Sequence, residues 1–311
     1  MKDSAPAREY FEWSDLRTVR RLAGLPGTAA AASRAHPNQR WERVFGLGTN
    51  GLATFEPVIT SKSGIDFFSA DTATAIGQPP NEAMRIDGPG IDTAAITRSL
   101  LSLGARHESA DGRSFLAIGA EHSVDITGPL GAIGVVNQLD RSVATGPTFA
   151  TGSAQAPVAD VLGGGRSLAA APGYRAAAGC LDDAVTATIA PPARVNAATP
   201  ALLLAVGDRR PTSPTAPVTD VLCAVDASPG VVAQQETRLR AMLGPKGRIP
   251  QLPPSATLVG SLRFNQSVSG SNHILQCLVT LKPQVAPGLL YNILTHGDLG
   301  ALVGRELAPR S

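Results

Sequence analysis

The sequence contains few aromatic residues, few lysines and no long apolar run. Aromatic residues make up 4% of the 311 residues, and a direct count gives 4 lysines against 23 arginines. The longest uninterrupted apolar run, residues 201–206, is far shorter than the roughly 20 residues that a transmembrane helix needs. The N-terminal residues also lack the apolar segment of a signal peptide. We therefore expect no membrane span and no carbohydrate-binding surface built from stacked rings.

The charge balance and the spacing of histidines and cysteines exclude further classes of function. Lys and Arg number 27 and Asp and Glu number 25, so the net charge is +2. This charge is too small for nucleic-acid binding that relies on phosphate neutralisation. The five histidines and three cysteines show no HExxH, HxH, HxxxH or CxxC spacing. We predict no metal, no cofactor and no nucleic-acid partner.

No catalytic motif is complete. Residues 165–169 (GRSLA) depart at the last position from the G-x-S-x-G turn that presents a nucleophilic serine. The glycines at 163–165 precede no phosphate-binding motif, so we interpret them as the turn that ends a helix. The triplets Glu121-His122-Ser123 and His296-Gly297-Asp298 contain reactive residue types, and solvated loops explain both. We therefore predict no catalytic residue, with Ser167 and Ser123 as the nucleophiles of an alternative hydrolase interpretation.

The pattern of apolar residues predicts an α+β protein. Hydrophobic residues make up 43%, charged residues 17%, and 32 glycines with 25 prolines indicate many turns. One helix follows Ser14 and ends at Gly24, and another covers residues 92–103, with apolar residues on one face. Residues 46–51 (GLGTNG) are predicted to form a turn or an exposed loop. The predicted strands and hairpins are 82–86, 106–118 with its tip at Asp111–Gly112, 132–139, 184–189, 201–206, 220–225 and 257–281.

An internal repeat organises the chain. Residues 89–104 (PGIDTAAITRSLLSLG) and 229–244 (PGVVAQQETRLRAMLG) match at an offset of 140. The shared Pro-Gly and Leu-Gly pairs are helix boundaries, whereas the shared Thr-Arg pair has no such explanation. The repeat predicts two related split-βαβ, ferredoxin-like halves with antiparallel sheets and a pseudo-twofold axis. The predicted parts are an N-terminal helical arm (1–45), a first half (46–180) and a second half (181–311).

The three cysteines are Cys180, Cys223 and Cys277. Cys180 ends a predicted helix, and Cys223 lies within a predicted strand. In an exported protein we favour a disulfide between these two, 43 residues apart, with Cys277 as the competing partner of either. In a cytosolic protein all three would be buried thiols.

The segment at residues 167–191 (SLAAAPGYRAAAGCLDDAVTATIAP) resembles uncharacterised exported and lipoprotein-type envelope proteins of actinobacteria. The excess of arginine over lysine indicates a GC-rich genome and agrees with this source. The resemblance implies an extracytoplasmic envelope protein and transfers no functional residue. It also implies a lipid anchor in the full-length precursor, although no lipobox cysteine lies near the start of this sequence.

We expect a non-enzymatic envelope protein that binds a small or lipidic ligand, or a partner protein, at the interface of its two halves. The first alternative is an envelope serine hydrolase with a non-standard nucleophile motif. The second is a scaffold of an envelope complex, which would expose an apolar patch. We expect the aromatic residues at 10–13 to hold the N-terminal arm against the body. Together with the arginines at 17–21 they also allow the alternative of peripheral membrane association through the N-terminus.

Overall fold

The structure is a computed structural model of the chain. It describes residues 1–28, 39–128, 131, 135, 137–191, 203–249 and 252–295. The chain forms two compact units, Met1–Leu168 and Ala169–Ser311. Helices and antiparallel strands occur in both, so the α+β class is confirmed. The subdivision at residues 45 and 180 stays a prediction.

Seven strands of the first unit pair in the antiparallel order β1-β2-β3-β7-β6-β5-β4. Their bounds are β1 (Phe11–Ser14), β2 (Thr72–Ile76), β3 (Ala83–Asp87), β4 (Arg106–Ala110), β5 (Arg113–Ala117), β6 (Arg141–Thr145) and β7 (Thr148–Gly152). The predicted β4–β5 hairpin is confirmed. Its tip residues Asp111 and Gly112 have φ values of 51° and 71°, as a two-residue turn between twisted strands requires.

Three strands of this sheet differ from the sequence-based expectation. β1 lies in the segment predicted as a helical arm and pairs with β2 from Phe11 to Ser14. The β6–β7 hairpin was not predicted, whereas a strand was predicted at 132–139. Residues 132–134 and 136 of that strand lie outside the described residues, and 137–140 form a turn.

Six helices of the first unit have bounds α1 (Ala5–Glu9), α2 (Leu16–Ala23), α3 (Gln39–Glu42), α4 (Glu56–Ser63), α5 (Thr93–Ser102) and α6 (Gln155–Leu162). Asp15 caps α2 by accepting a hydrogen bond from the Thr18 N–H group, and Gly24 ends it at a φ of 68°. The predicted cap, Ser14, is the last residue of β1, so the helix begins one residue later than expected. Asp92 caps α5, whose buried Ile96 and Leu100 join the main core of this unit.

The glycine-rich segment 46–51 forms the predicted turn, but it is not wholly exposed. Gly48 has a φ of 78°, and a Cβ atom there would lie 2.7 Å from the carbonyl oxygen of Ala73 on β2. The buried Glu12 side chain of β1 accepts a hydrogen bond from the Gly48 N–H group at 2.8 Å. Gly48 therefore lets the loop pack directly on the sheet, which a larger residue would prevent.

Five strands of the second unit pair in the antiparallel order β11-β12-β10-β9-β8. Their bounds are β8 (Ala184–Ala190), β9 (Leu203–Arg209), β10 (Thr219–Asp226), β11 (Val259–Ser269) and β12 (Asn272–Leu281). The helices are α7 (Pro172–Leu181), α8 (Pro229–Leu243), α9 (Ser255–Leu258) and α10 (Leu289–Thr295). Side chains alternate across β10, so Cys223 and Leu222 lie on opposite faces of the sheet.

The repeated sequence segments occupy equivalent places in the chain order of the two units. α5 follows the antiparallel pair β2–β3 and precedes the hairpin β4–β5. α8 follows the pair β9–β10 and precedes the hairpin β11–β12. In the part of the chain that the structure describes, no helix is both long and apolar enough to cross a membrane.

Candidate functional site

A groove opens in the first unit where the neighbouring strands β5 and β6 separate. Their ladder has two residue pairs, Leu116–Ser142 and Ala117–Arg141. The ladders β4–β5 and β6–β7 each have five. Beyond the short ladder lies a cavity of about 480 Å³. Its wall is apolar at Val143, Ala144 and Leu162 and polar at Arg85, Arg113, Ser114, Thr145 and Thr148.

One of the two arginines in the groove wall is neutralised. The Nε atom of Arg85 lies 2.8 Å from Oδ2 of Asp87, and its Nη2 atom lies 2.7 Å from Oδ1. The Thr148 hydroxyl also donates a hydrogen bond to Asp87, at 2.6 Å. The Nη1 atom of Arg85 donates to the carbonyl of Leu162, the last residue of α6. Arg85 therefore stabilises the wall and adds little positive charge to the groove.

Arg113, the first residue of β5, is not neutralised in this way. Its Nη2 atom donates a hydrogen bond to the carbonyl oxygen of Gly163 at 3.0 Å. None of the ion pairs among the described residues includes Arg113. Gly164 has a φ of 122°, and a Cβ atom there would lie 3.7 Å from Nη2 of Arg113. The turn after α6 thus holds a half-exposed guanidinium at the groove without compensating its charge.

The other end of α6 is fixed to the sheet by charged groups. Arg141 is buried, and its Nε atom lies 3.4 Å from a carboxylate oxygen of Glu108 and 3.7 Å from one of Glu121. Glu121 also accepts a hydrogen bond from the N–H group of Gln155, the first residue of α6, at 2.8 Å. This cluster positions α6, whose last residue contributes to the groove wall.

Ser123, one of the two alternative nucleophiles, lies beside a buried carboxyl group. Asp140 is 1% exposed, and its Oδ2 atom has no hydrogen-bond partner among the described residues, whereas the Ser123 N–H group donates to the Ala120 carbonyl at 3.3 Å. Burial raises the pKa of Asp140 to about 7, against smaller lowering effects of Ser123, Arg141 and His122. His122 has a φ of 57°, and its Nδ1 atom lies 2.8 Å from the Pro80 carbonyl oxygen. Among the described residues no hydrogen bond links Ser123, His122 and Asp140, so the three do not form a Ser-His-Asp relay.

The disulfide predicted between Cys180 and Cys223 is confirmed. It joins α7 to β10 with a Cα–Cα distance of 6.1 Å. Cys277 is a buried free thiol, and burial raises its pKa to about 12. A disulfide suggests an oxidising, extracytoplasmic environment.

The remaining residues singled out from the sequence do not assemble into a site. Ser167 is exposed, and its backbone bridges to Lys2. His107 is exposed on β4, and His273 lies near the start of β12. Within the described ranges, no group of three metal-ligating side chains could hold an ion. His36, His296, Gly297 and Asp298 lie outside the described residues.

The second unit buries a pair of carboxyl groups that sequence analysis missed. Asp208 on β9 and Asp220 on β10 are register partners, each 1% exposed. Asp208 accepts hydrogen bonds from the Thr186 hydroxyl at 2.6 Å and the Gly288 N–H group at 2.7 Å. Asp220 accepts one from the Leu290 N–H group at 3.0 Å. Burial raises the pKa of both carboxyls, and the neighbouring charge of Asp208 raises that of Asp220 further.

Sequence reasoning also missed Arg113 and Asp140. Arg113 directly follows the predicted hairpin tip, where an arginine is normally a solvated surface residue. Asp140 directly follows a predicted apolar strand, and an acidic residue in that position is typical of an ordinary strand end. A single acidic residue after an apolar run was the available signal, and it does not distinguish a turn from a buried carboxyl.

Comparison with protein-family models, with curated proteins and with solved structures gives no match to this chain.

Proposed function

We propose that the protein is a non-enzymatic protein of the cell envelope that binds a small or lipidic ligand in the groove between β5 and β6. The observation that supports this proposal is the groove itself, which combines an apolar wall with the uncompensated guanidinium of Arg113. A cavity of about 480 Å³ lies in the size range of small-molecule sites, and its lining combines three apolar with five polar side chains. Sequence analysis placed the ligand between the two halves, and the groove within the first unit is the location we now favour.

The proposed cellular location is the extracytoplasmic envelope. The disulfide supports an oxidising compartment. The resemblance of residues 167–191 supports export and a lipid anchor in the full-length precursor. The aromatic residues at 10–13 and the arginines at 17–21 support peripheral membrane association through the N-terminus. We retain the duplication proposal with ferredoxin-like halves about a pseudo-twofold axis, since both units share the chain order strand pair, helix, hairpin.

Native mass spectrometry of protein purified gently from an actinobacterial host tests the proposal. We expect an additional mass that is released when the protein is denatured. Thr145→Trp places a large ring at an exposed position of the groove wall and should remove this mass. Thr215→Trp, at an exposed position of the second unit, is the matched control and should retain it. A bound mass that survives Thr145→Trp would place the ligand elsewhere, and a ligand-free wild type would favour the scaffold or partner-binding alternative.

The buried carboxyl of Asp140, whose pKa is influenced by the nearby Ser123, supports a second candidate, an envelope serine hydrolase. A carboxylate with a pKa near 7 is suited to accept the proton of the serine hydroxyl during attack on an ester carbonyl. A fluorophosphonate probe should then label one serine, and the label should disappear in Ser123→Ala and persist in Ser167→Ala. Absence of labelling in the native wild-type protein would leave the binding function as the proposal.

A further inference from the structure

The groove has a specific charge requirement, which deepens the proposed function and rests on it. Arg85 and Asp87 cancel each other within the wall, whereas Arg113 has no such carboxylate partner among the described residues. The groove therefore carries one positive charge in excess. A ligand with a single negative charge would neutralise it, and a neutral ligand would leave the guanidinium partly desolvated without compensation.

The geometry around Arg113 favours a planar anion. The guanidinium presents five N–H donors in a fixed plane, and the Gly163 carbonyl takes one of them at 3.0 Å. This hydrogen bond restricts the side chain before any ligand binds, which reduces the entropy lost on binding. The remaining donors match the two oxygens of a carboxylate in a bidentate arrangement.

The rest of the wall is suited to a short hydrocarbon chain. Val143, Ala144 and Leu162 contribute apolar surface beside the arginine, and the ladder between β5 and β6 ends before this point. We propose that the groove binds aliphatic monocarboxylates, with the carboxylate on Arg113 and the chain against Val143, Ala144 and Leu162. The ligand class is thus a short fatty acid or a compound that ends in one.

Calorimetric titration with octanoate, octanol and octyl phosphate tests this class. We expect octanoate to bind most tightly, with a dissociation constant that rises with salt concentration. Arg113→Gln should weaken octanoate binding roughly 10- to 100-fold and should not weaken octanol binding, since no desolvated charge is then left without compensation. Arg106→Gln removes the same charge from an exposed position on the adjacent strand β4 and should bind octanoate like the wild type.

The outcomes separate this inference from the proposed function. If octanol binds as tightly as octanoate and Thr145→Trp abolishes both, the groove is a binding site and the charge requirement is wrong. Tighter binding of octyl phosphate than of octanoate would overturn the carboxylate class. If none of the three compounds binds and native mass spectrometry shows no bound mass, the proposed function itself fails. Should Arg113→Gln not fold, Arg113→Lys keeps the charge without the planar fork, and unchanged octanoate affinity in that variant would refute the bidentate contact.

Discussion

Removing the Cys180–Cys223 disulfide should destabilise the second unit by an amount that the structure allows us to calculate. The disulfide closes a segment of 43 residues. The chain-entropy relation for a loop of this length gives about 4 kcal/mol at 25 °C. Both half-cystines are buried, so the change to alanine adds roughly 1 kcal/mol for each deleted sulfur, comparable with a buried methylene group. Cys277→Ala deletes one buried sulfur without opening a loop and is the matched control.

The two units offer separate reporters. Both tryptophans, Trp13 and Trp41, lie in the first unit, so their fluorescence follows urea unfolding of that unit. Hydrogen exchange of peptides from β9 and β10, measured along the same urea series, follows the second unit. At an m-value of about 2 kcal/mol/M, the loss of 4 kcal/mol lowers the urea midpoint by about 2 M. We expect this shift in the β9 and β10 peptides of Cys180→Ala/Cys223→Ala, beyond the shift produced by Cys277→Ala.

Two results would refute this reasoning. If the double variant and Cys277→Ala have the same midpoint for β9 and β10, loop closure does not stabilise the second unit. If the tryptophan transition shifts as much as the exchange of β9 and β10, the effect of the disulfide is not confined to the unit that contains it.

Three further predictions concern single positions. Gly48→Ala should lower the free energy of unfolding by about 2–4 kcal/mol, because the added Cβ atom meets the Ala73 carbonyl and the φ is positive. The control Gly51→Ala has a similar φ and no atom within 4 Å of the added Cβ, so it should lower the free energy of unfolding by about 1 kcal/mol. Equal urea midpoints for the two variants, measured by tryptophan fluorescence, would contradict the clash at Gly48. The pKa of Asp140 is raised from 3.8 to about 7 in the folded chain, so the unfolded chain releases this proton first and wild-type stability falls between about pH 4 and 7. Asp140→Asn has no carboxyl group to titrate at this position and should lack this loss of stability. The urea midpoint of the variant, minus that of the wild type, should therefore be larger at pH 8 than at pH 4. An equal difference at the two pH values would argue against the raised pKa. The Cys277 thiol is buried and has a pKa of about 12, so it should not react with a thiol reagent at pH 8 in the native protein. After urea is added, one equivalent of the reagent should react. Rapid labelling of the native protein would contradict the burial of this thiol.

Local signals in the sequence predicted the elements that depend on nearby residues. α5 and the β4–β5 hairpin formed as expected, because the Asp92 cap and the Asp111–Gly112 turn act within a few residues. The disulfide could be predicted because Cys180 and Cys223 lay in elements that the apolar pattern had identified. Its alternatives stayed open, since spacing alone does not show which strands are neighbours.

The groove could not be predicted for a different reason. It exists because the β5–β6 ladder stops after two residue pairs, and ladder length depends on strand pairing across the intervening loop. The uncompensated charge of Arg113 likewise depends on a turn 50 residues away that offers a carbonyl instead of a carboxylate. Propensity and periodicity describe individual segments, so they predict neither the length of the β5–β6 ladder nor the contact between Arg113 and the distant turn.

The carboxyl pair of the second unit has a consequence for the order in which the chain acquires its structure. Asp208 and Asp220 lie on adjacent strands, but their backbone donors come from residues 288 and 290. Because the chain is synthesised from its N-terminus, the residues of β9 and β10 are made long before the residues that supply these donors. The first unit ends at Leu168 and is complete earlier, when the carbonyl of Asp160 accepts the hydrogen bond of the Lys2 N–H group. During vectorial synthesis or translocation the two units should therefore mature at different times, with the interior of the second satisfied only after residue 290 has emerged.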